Sequence, residues 1–279
     1  MWDARRGSLG PSDSGRLPID VGKTSLPVPM EYGLNPALAP EEIREDGAKI
    51  RKNPLLYEIY LDVYRRLLAE LPPADFPRLL EIGSGGGFFK ELAPHAITSE
   101  CVPVDGIERV VDAGRLGDAF DEGCLDAISA FDVFHHLPQP IDFLRGATRA
   151  LRSGGRIAMV EPWFTPLGQW LWRLVHHEPY LNDPDEWRIV GNGRLAGANS
   201  RLPTSVFRDS DARFAREFPD LRIVKREPIH KWLYLLSGGL TFNTHVPTFI
   251  AKRLVDLDAR VRLGNDAAGV FALIVVERA

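Results

Sequence analysis

Apolar positions along this chain follow two periods in turn, and the change from one to the other predicts its architecture. Leu56, Ile59, Tyr60, Val63, Leu67 and Leu71 share one face at helical spacing. Asn53-Pro54 starts that helix with a capping amide and a proline at the first helical position, and Pro72-Pro73 stops it. From residue 77 short apolar runs take over, each closed by an acid or by glycines. They predict strands at 77–82, at Glu100 to Val104 closing on Asp105, at Arg109 to Val111 closing on Asp112, at Leu125 to Phe131, and at Arg156 to Val160 closing on Glu161. Helices fall between them at about 87–92 and from Pro140 to the glycines Gly154-Gly155. A helix near 209–218, a strand at 221–228, a helix from Pro247 to about Leu263 and a strand from Val270 to Val276 complete the chain. Such alternation predicts a mostly parallel sheet, its last strand antiparallel, with helices on both faces.

One connection departs from this pattern. Only Gly106 to Glu108 separate the second and third strands, whereas a helical crossover needs about a dozen residues. The third strand is therefore vestigial or pairs unusually. Residues 1–50, rich in Gly, Pro and Ser at their start, read as an extended arm before a domain spanning 51–279. Residues 162–208 read as a lid and 229–246 as a second insertion, because long irregular segments inside a domain are usually functional.

The richest chemistry lies at Arg78-Leu-Leu-Glu-Ile-Gly-Ser-Gly-Gly-Gly87. Glycines at 83, 85 and 87 permit a sharp turn and a close ligand, with Ser84 between them. Glu81 is the deciding residue, since a carboxylate beside the loop repels a pyrophosphate and attracts a cation. The dinucleotide fingerprint fails as well: its third glycine falls on Phe88 or Lys90, depending on the starting glycine. A nicotinamide oxidoreductase is disfavoured on both counts.

Residues 78–161 resemble the class I S-adenosylmethionine-dependent methyltransferases, in the style of the small-molecule enzymes. Glu81 to Gly87 is similar to the E-x-G-x-G-x-G loop, and Asp112-Ala113 to the Asp-Ala step whose carboxylate accepts from the adenine amino group. Leu125 to Pro138 is similar to the fourth strand and its exit, and Leu151-Arg-Ser-Gly-Gly to the turn before the fifth. The resemblance implies a Rossmann-like sheet and S-adenosyl-L-methionine as methyl donor, with S-adenosyl-L-homocysteine as product. It places Asp105 on the ribose hydroxyls, followed by Gly106, with Ile107 as a wall for the adenine and Phe131 beside the acids at the strand ends. The alternative is a protein of this fold that binds the same cofactor without catalysis.

For methyl transfer, His135 after the fourth strand is the first candidate base, with packing and capping of the turn as the plainer role. Glu161 and His177 follow. The stretch Ala130 to Phe134 lacks the prolines of methylases acting on nucleobases or glutamine, which favours a small or lipid-like acceptor over nucleic acid.

Composition narrows the setting. Of 279 residues 44% are hydrophobic and 26% charged, and a net charge of −4 gives no electrostatic reason for a nucleic-acid partner. Two cysteines, Cys101 and Cys124, suggest neither a metal site nor a disulfide framework. With no apolar leader or spanning run the expected location is cytoplasmic, while aromatic clusters at Trp163 to Leu174 and Trp232 to Leu236 leave peripheral membrane contact open. The oligomeric state is left open.

Overall fold

The computed structural model describes residues 40–72, 78–86, 88–167, 169–170, 187, 189, 197–230, 233–240, 244–260 and 264–279. Two helices come first, α1 (Pro40–Lys52) and α2 (Pro54–Glu70). The Asn53 side chain caps α2 by accepting from the Leu56 N–H at 3.2 Å. The sheet follows: β1 (Leu79–Ile82), β2 (Ile97–Glu100), β3 (Arg109–Val110), β4 (Leu125–Phe131), β5 (Leu151–Pro162), β6 (Leu221–Ile229) and β7 (Phe271–Arg278). Among the helices that flank it are α3 (Leu116–Ala119), α4 (Pro140–Ala150), α5 (Asp211–Glu217), α6 (Leu233–Ser237) and α7 (Thr248–Arg260).

The seven strands lie in the order β3-β2-β1-β4-β5-β7-β6. The first five are parallel, and β7 runs antiparallel to both β5 and β6. Successive residues of a strand face opposite sides. Leu80, Ile128 and Ile157 therefore meet Phe143 and Leu144 of α4 on one side, while Leu79, Ala127 and Ala158 meet α2 on the other. Burial on both faces is why these strands read as continuous apolar runs. Strand order reverses between β1 and β4, the place where open sheets of this kind leave a crevice at their carboxyl ends.

Three sequence expectations are corrected. Strand β2 ends on Glu100, the residue where the sequence reading started it. The apolar Cys101-Val-Pro-Val run drew that reading. The true strand carries hydroxyls whose needs are met inside: Ser99 Oγ donates to the Glu81 carbonyl at 2.7 Å, and Thr98 Oγ1 accepts from the Glu108 N–H at 3.2 Å. With β2 ending four residues earlier, residues 101–108 return to a two-residue parallel β3 without a helix. The second correction is α1, which the sequence reading left inside the extended arm. Its buried positions are Ile43, Gly47 and Ile50, so a glycine interrupts the apolar signal. Gly47 is needed there because a Cβ would stand 2.6 Å from the Gly86 Cα. Residues 1–39 lie outside the described part. The Gly154-Gly155 pair falls within β5 rather than ending α4.

Candidate active site

A cavity of about 750 Å³ opens at the crevice between β1 and β4. Backbone geometry makes room for it. Gly83 and Gly85 have φ of +67° and +51°, and a Cβ on Gly83 would stand 2.4 Å from Val133 Cγ2. Ser84 fastens the loop to β2, its N–H donating to the Ser99 carbonyl at 2.9 Å and its Oγ accepting from the Ser99 N–H at 3.0 Å.

The cavity lining is rich in acids, among them Glu81, Glu100 and Asp112. Glu81 is 3% exposed, and its Oε2 is buried with no hydrogen-bond partner. Desolvation pushes its carboxyl up to about 8, against the pull of Ser84 and with the help of the Glu100 charge. Glu100 accepts from the Gly85 N–H at 2.8 Å and the Cys101 N–H at 3.1 Å, and burial raises its pKa too. Asp112 caps the next turn through the Gly114 N–H at 2.9 Å. Ala113 and Phe131 line the same cavity.

Asp105, Gly106 and Ile107 do not join them. They border a separate cavity of about 310 Å³ on the α1 side of the glycine loop. The Asp105 side chain is 93% exposed and pairs with Arg44 at 3.2 Å. The acid ending β2 in the main cavity is Glu100, which sequence reasoning passed over because it placed that strand too late. Gly87 and His177 lie outside the described residues.

The two described candidate bases are drawn together, but away from the cavity. Glu161 is fully buried and its carboxylate is saturated. Oε1 accepts from the N–H groups of Val133 at 2.8 Å and Phe134 at 2.7 Å. Oε2 accepts from the His135 N–H at 3.3 Å and lies 2.8 Å from His135 Nδ1. An acceptor-only carboxylate there puts the hydrogen on Nδ1. His135 is 1% exposed and does not line the cavity; His136 does, beside Asp132. The plainer role, packing and capping the turn, is the one the geometry supports for His135 and Glu161. Of the aromatic clusters, Trp163 and Phe164 are buried and Trp170 is exposed, while Trp172, Leu174 and Trp232 lie outside the described residues.

The residues present suit a cationic nucleoside ligand. An unpartnered buried carboxylate oxygen calls for a cation or another donor, and the neighbouring acids are acceptors for hydroxyl or amino groups. A phosphate would meet carboxylates in this lining.

Comparison with known proteins agrees. Residues 56–257 match the methyltransferase domain family. A 27-O-demethylrifamycin SV methyltransferase from Amycolatopsis mediterranei is 32% identical over 154 residues, which is 47% of this chain and 52% of that protein. The chain thus matches about half the length of this curated relative. An S-adenosylmethionine-dependent methyltransferase from Archaeoglobus fulgidus superimposes with a TM-score of 0.50 at 18% identity, over 83% of this chain and 96% of that one. A geranyl diphosphate C-methyltransferase from Streptomyces coelicolor gives 0.49 at 15% identity, over 93% and 90%.

Proposed function

This chain belongs to the class I S-adenosylmethionine-dependent methyltransferases, and from that premise we propose that it methylates an oxygen, nitrogen or carbon atom of a small, partly apolar acceptor. The observation that carries the reading is the buried, unpartnered Glu81 Oε2 at the glycine loop. Glu81 would hold the ammonium of the methyl donor, Glu100 its ribose hydroxyls and Asp112 its adenine amino group, with Ala113 and Phe131 as apolar contacts. Bound there, S-adenosylmethionine supplies an electrophilic methyl on a sulfonium.

The chain's own contribution is to position and to exclude water. The glycine loop and the turn after β4 touch through Gly83 and Val133, so the two halves of the site have a fixed spacing. Tyr60, Tyr64 and Phe131 give the interior an aromatic wall, Tyr60 and Phe131 having ring centroids 4.7 Å apart. The acceptor 27-O-demethylrifamycin SV, named for the Amycolatopsis relative, is in keeping with a small acceptor. A cytoplasmic setting is in keeping with two unpaired cysteines and with the lack, among the described residues, of any helix long and apolar enough to cross a membrane.

Calorimetric titration tests the reading. S-adenosylmethionine is expected to bind stoichiometrically and NADH not to bind, and incubation with acceptors should release S-adenosylhomocysteine. Binding of NADH in place of S-adenosylmethionine would sink it.

A further inference from the structure

Besides Glu81, Glu100 and Asp112, the cavity is lined by Asp46 of α1, Tyr60 of α2, and Asp132 and His136 on the turn after β4, with Phe131 and Leu240 as apolar walls. Asp132 stands out by its backbone. Its φ is +61°, a left-handed conformation that among the described non-glycine residues only His230 shares. Such conformations persist where the surroundings over-determine them, and they cluster at functional sites. The surroundings here are explicit. The Asp132 N–H donates to the Val160 carbonyl at 2.9 Å, and the next three N–H groups are all held by the Glu161 carboxylate. Glu161 and His135 thus clamp a turn that sets Asp132 on the cavity wall.

The chemistry of this lining, which also holds Asp118 and Asp142, is acidic and hydrogen-bonding. Burial raises the pKa of the Tyr60 phenol, and the Asp132 and Asp46 charges raise it further, so Tyr60 remains a hydroxyl. Asp46 is anchored by Lys49 at 2.9 Å, and Asp132 lies 3.9 Å from His135 Nδ1. Among the described residues lining the cavity, Arg115 beside Asp112 is the one arginine or lysine, and it pairs with Asp118 at 2.8 Å.

We propose that Asp132 contacts the acceptor, and that the acceptor is neutral or cationic and presents a hydroxyl or amine hydrogen to this carboxylate, not a phosphate or carboxylate. The inference rests on the methyltransferase reading. Glu81, buried with an unpartnered oxygen in the same cavity, marks the cationic end of the donor and leaves the tip of β4 to the acceptor. Asp132 is then a specificity-determining residue, while Glu161 and His135 are positioning residues.

The test uses three probes of one skeleton, 1-naphthol, 1-naphthylmethylamine and 1-naphthoate, offered to the full chain loaded with S-adenosylhomocysteine and followed by ligand-observed NMR. Naphthol and the amine are expected to bind, and naphthoate at least about tenfold more weakly, since an unpaired anion would meet a carboxylate. D132G removes the carboxylate while suiting the backbone at this φ, so its melting temperature should not fall. It should weaken naphthol by about tenfold or more and move S-adenosylhomocysteine affinity by less than about threefold. D132N, which also tolerates the conformation, should lose mainly the amine. The inference is overturned by naphthoate binding as tightly as naphthol, by D132G binding naphthol like the wild type, or by no probe binding the loaded protein. If S-adenosylhomocysteine itself fails to bind the wild type, the methyltransferase reading falls first.

Discussion

Two buried glutamates sit at the carboxyl ends of parallel strands on either side of β4, and they do opposite things. Glu161, at the end of β5, has both carboxylate oxygens filled by backbone N–H groups and the His135 ring. Glu81, at the end of β1, has an oxygen with no partner and a carboxyl pushed up to about 8 by burial. Both are acids in the interior of a Rossmann-like sheet, so burial and residue type do not separate them. Satisfaction does. A saturated carboxylate is part of the fold, and an unsatisfied one costs stability until a ligand completes it.

The sharpest way to break that contrast is to remove each acid. Glu161→Ala strands buried N–H groups at Val133, Phe134 and His135, at about 1–3 kcal/mol for each unmet donor. We expect a loss of roughly 3–5 kcal/mol in urea unfolding, and an unchanged midpoint would show that the turn holds without its clamp. Glu81→Gln keeps the shape and removes the charge. Folding stability should hold or rise, while S-adenosylmethionine affinity falls by about 2–3 kcal/mol, roughly 30- to 150-fold by calorimetry. Should both variants lose stability equally, Glu81 would be structural like its neighbour.

Protonation sharpens the comparison further. With a folded pKa of about 8 against an ordinary value of 4.5, Glu81 holds its proton in the folded, ligand-free protein where the unfolded chain has released it. Its contribution to stability is therefore full below about pH 4.5 and is lost as pH rises through about 8. A cationic ligand needs the ionised form. Apparent affinity for S-adenosylmethionine should rise between pH 6 and 8, approaching tenfold per unit at the low end. At pH 7 binding should release close to one proton, read from calorimetry in buffers of different ionisation enthalpy. In Glu81→Gln the proton release should vanish.

What was legible in the sequence divides along the same cavity. The glycine-loop part of the cavity is made where strands meet loops, so each piece is written in a few consecutive residues. Strand β4 matches its sequence-read limits, Leu125 to Phe131, and Glu81 and Asp112 line the cavity. The rest of the lining draws Asp46 and Tyr60 from helices before the sheet, and no spacing announces that assembly. Helix α1 hid because its central buried position is a glycine packed on Gly86. His135 drew attention as a histidine near the reaction, but neighbouring side chains on the turn separate by face, and its partner Glu161 lies 26 residues away.

The smallest predicted effect tests the strand that was misplaced. Asp105 and Glu100 both follow hydroxyl-bearing or apolar residues of the second strand region, and either satisfies the pattern of an acid before a turn. Glu100 lies in the main cavity, 8% exposed, tied to the Gly85 N–H of the loop. Asp105 points to water and meets Arg44 in a surface pair of the kind that contributes about 0–1 kcal/mol. Glu100→Gln should weaken S-adenosylmethionine by about tenfold, a hydrogen bond to a charged group being about 1.5–3 kcal/mol. Asp105→Ala should shift it by less than about twofold and leave the melting temperature within a degree or so. If Asp105→Ala weakened the donor more than Glu100→Gln did, the ribose contact would belong to the residues 101–108 loop, and the end of β2 would have lost its claim on the ligand.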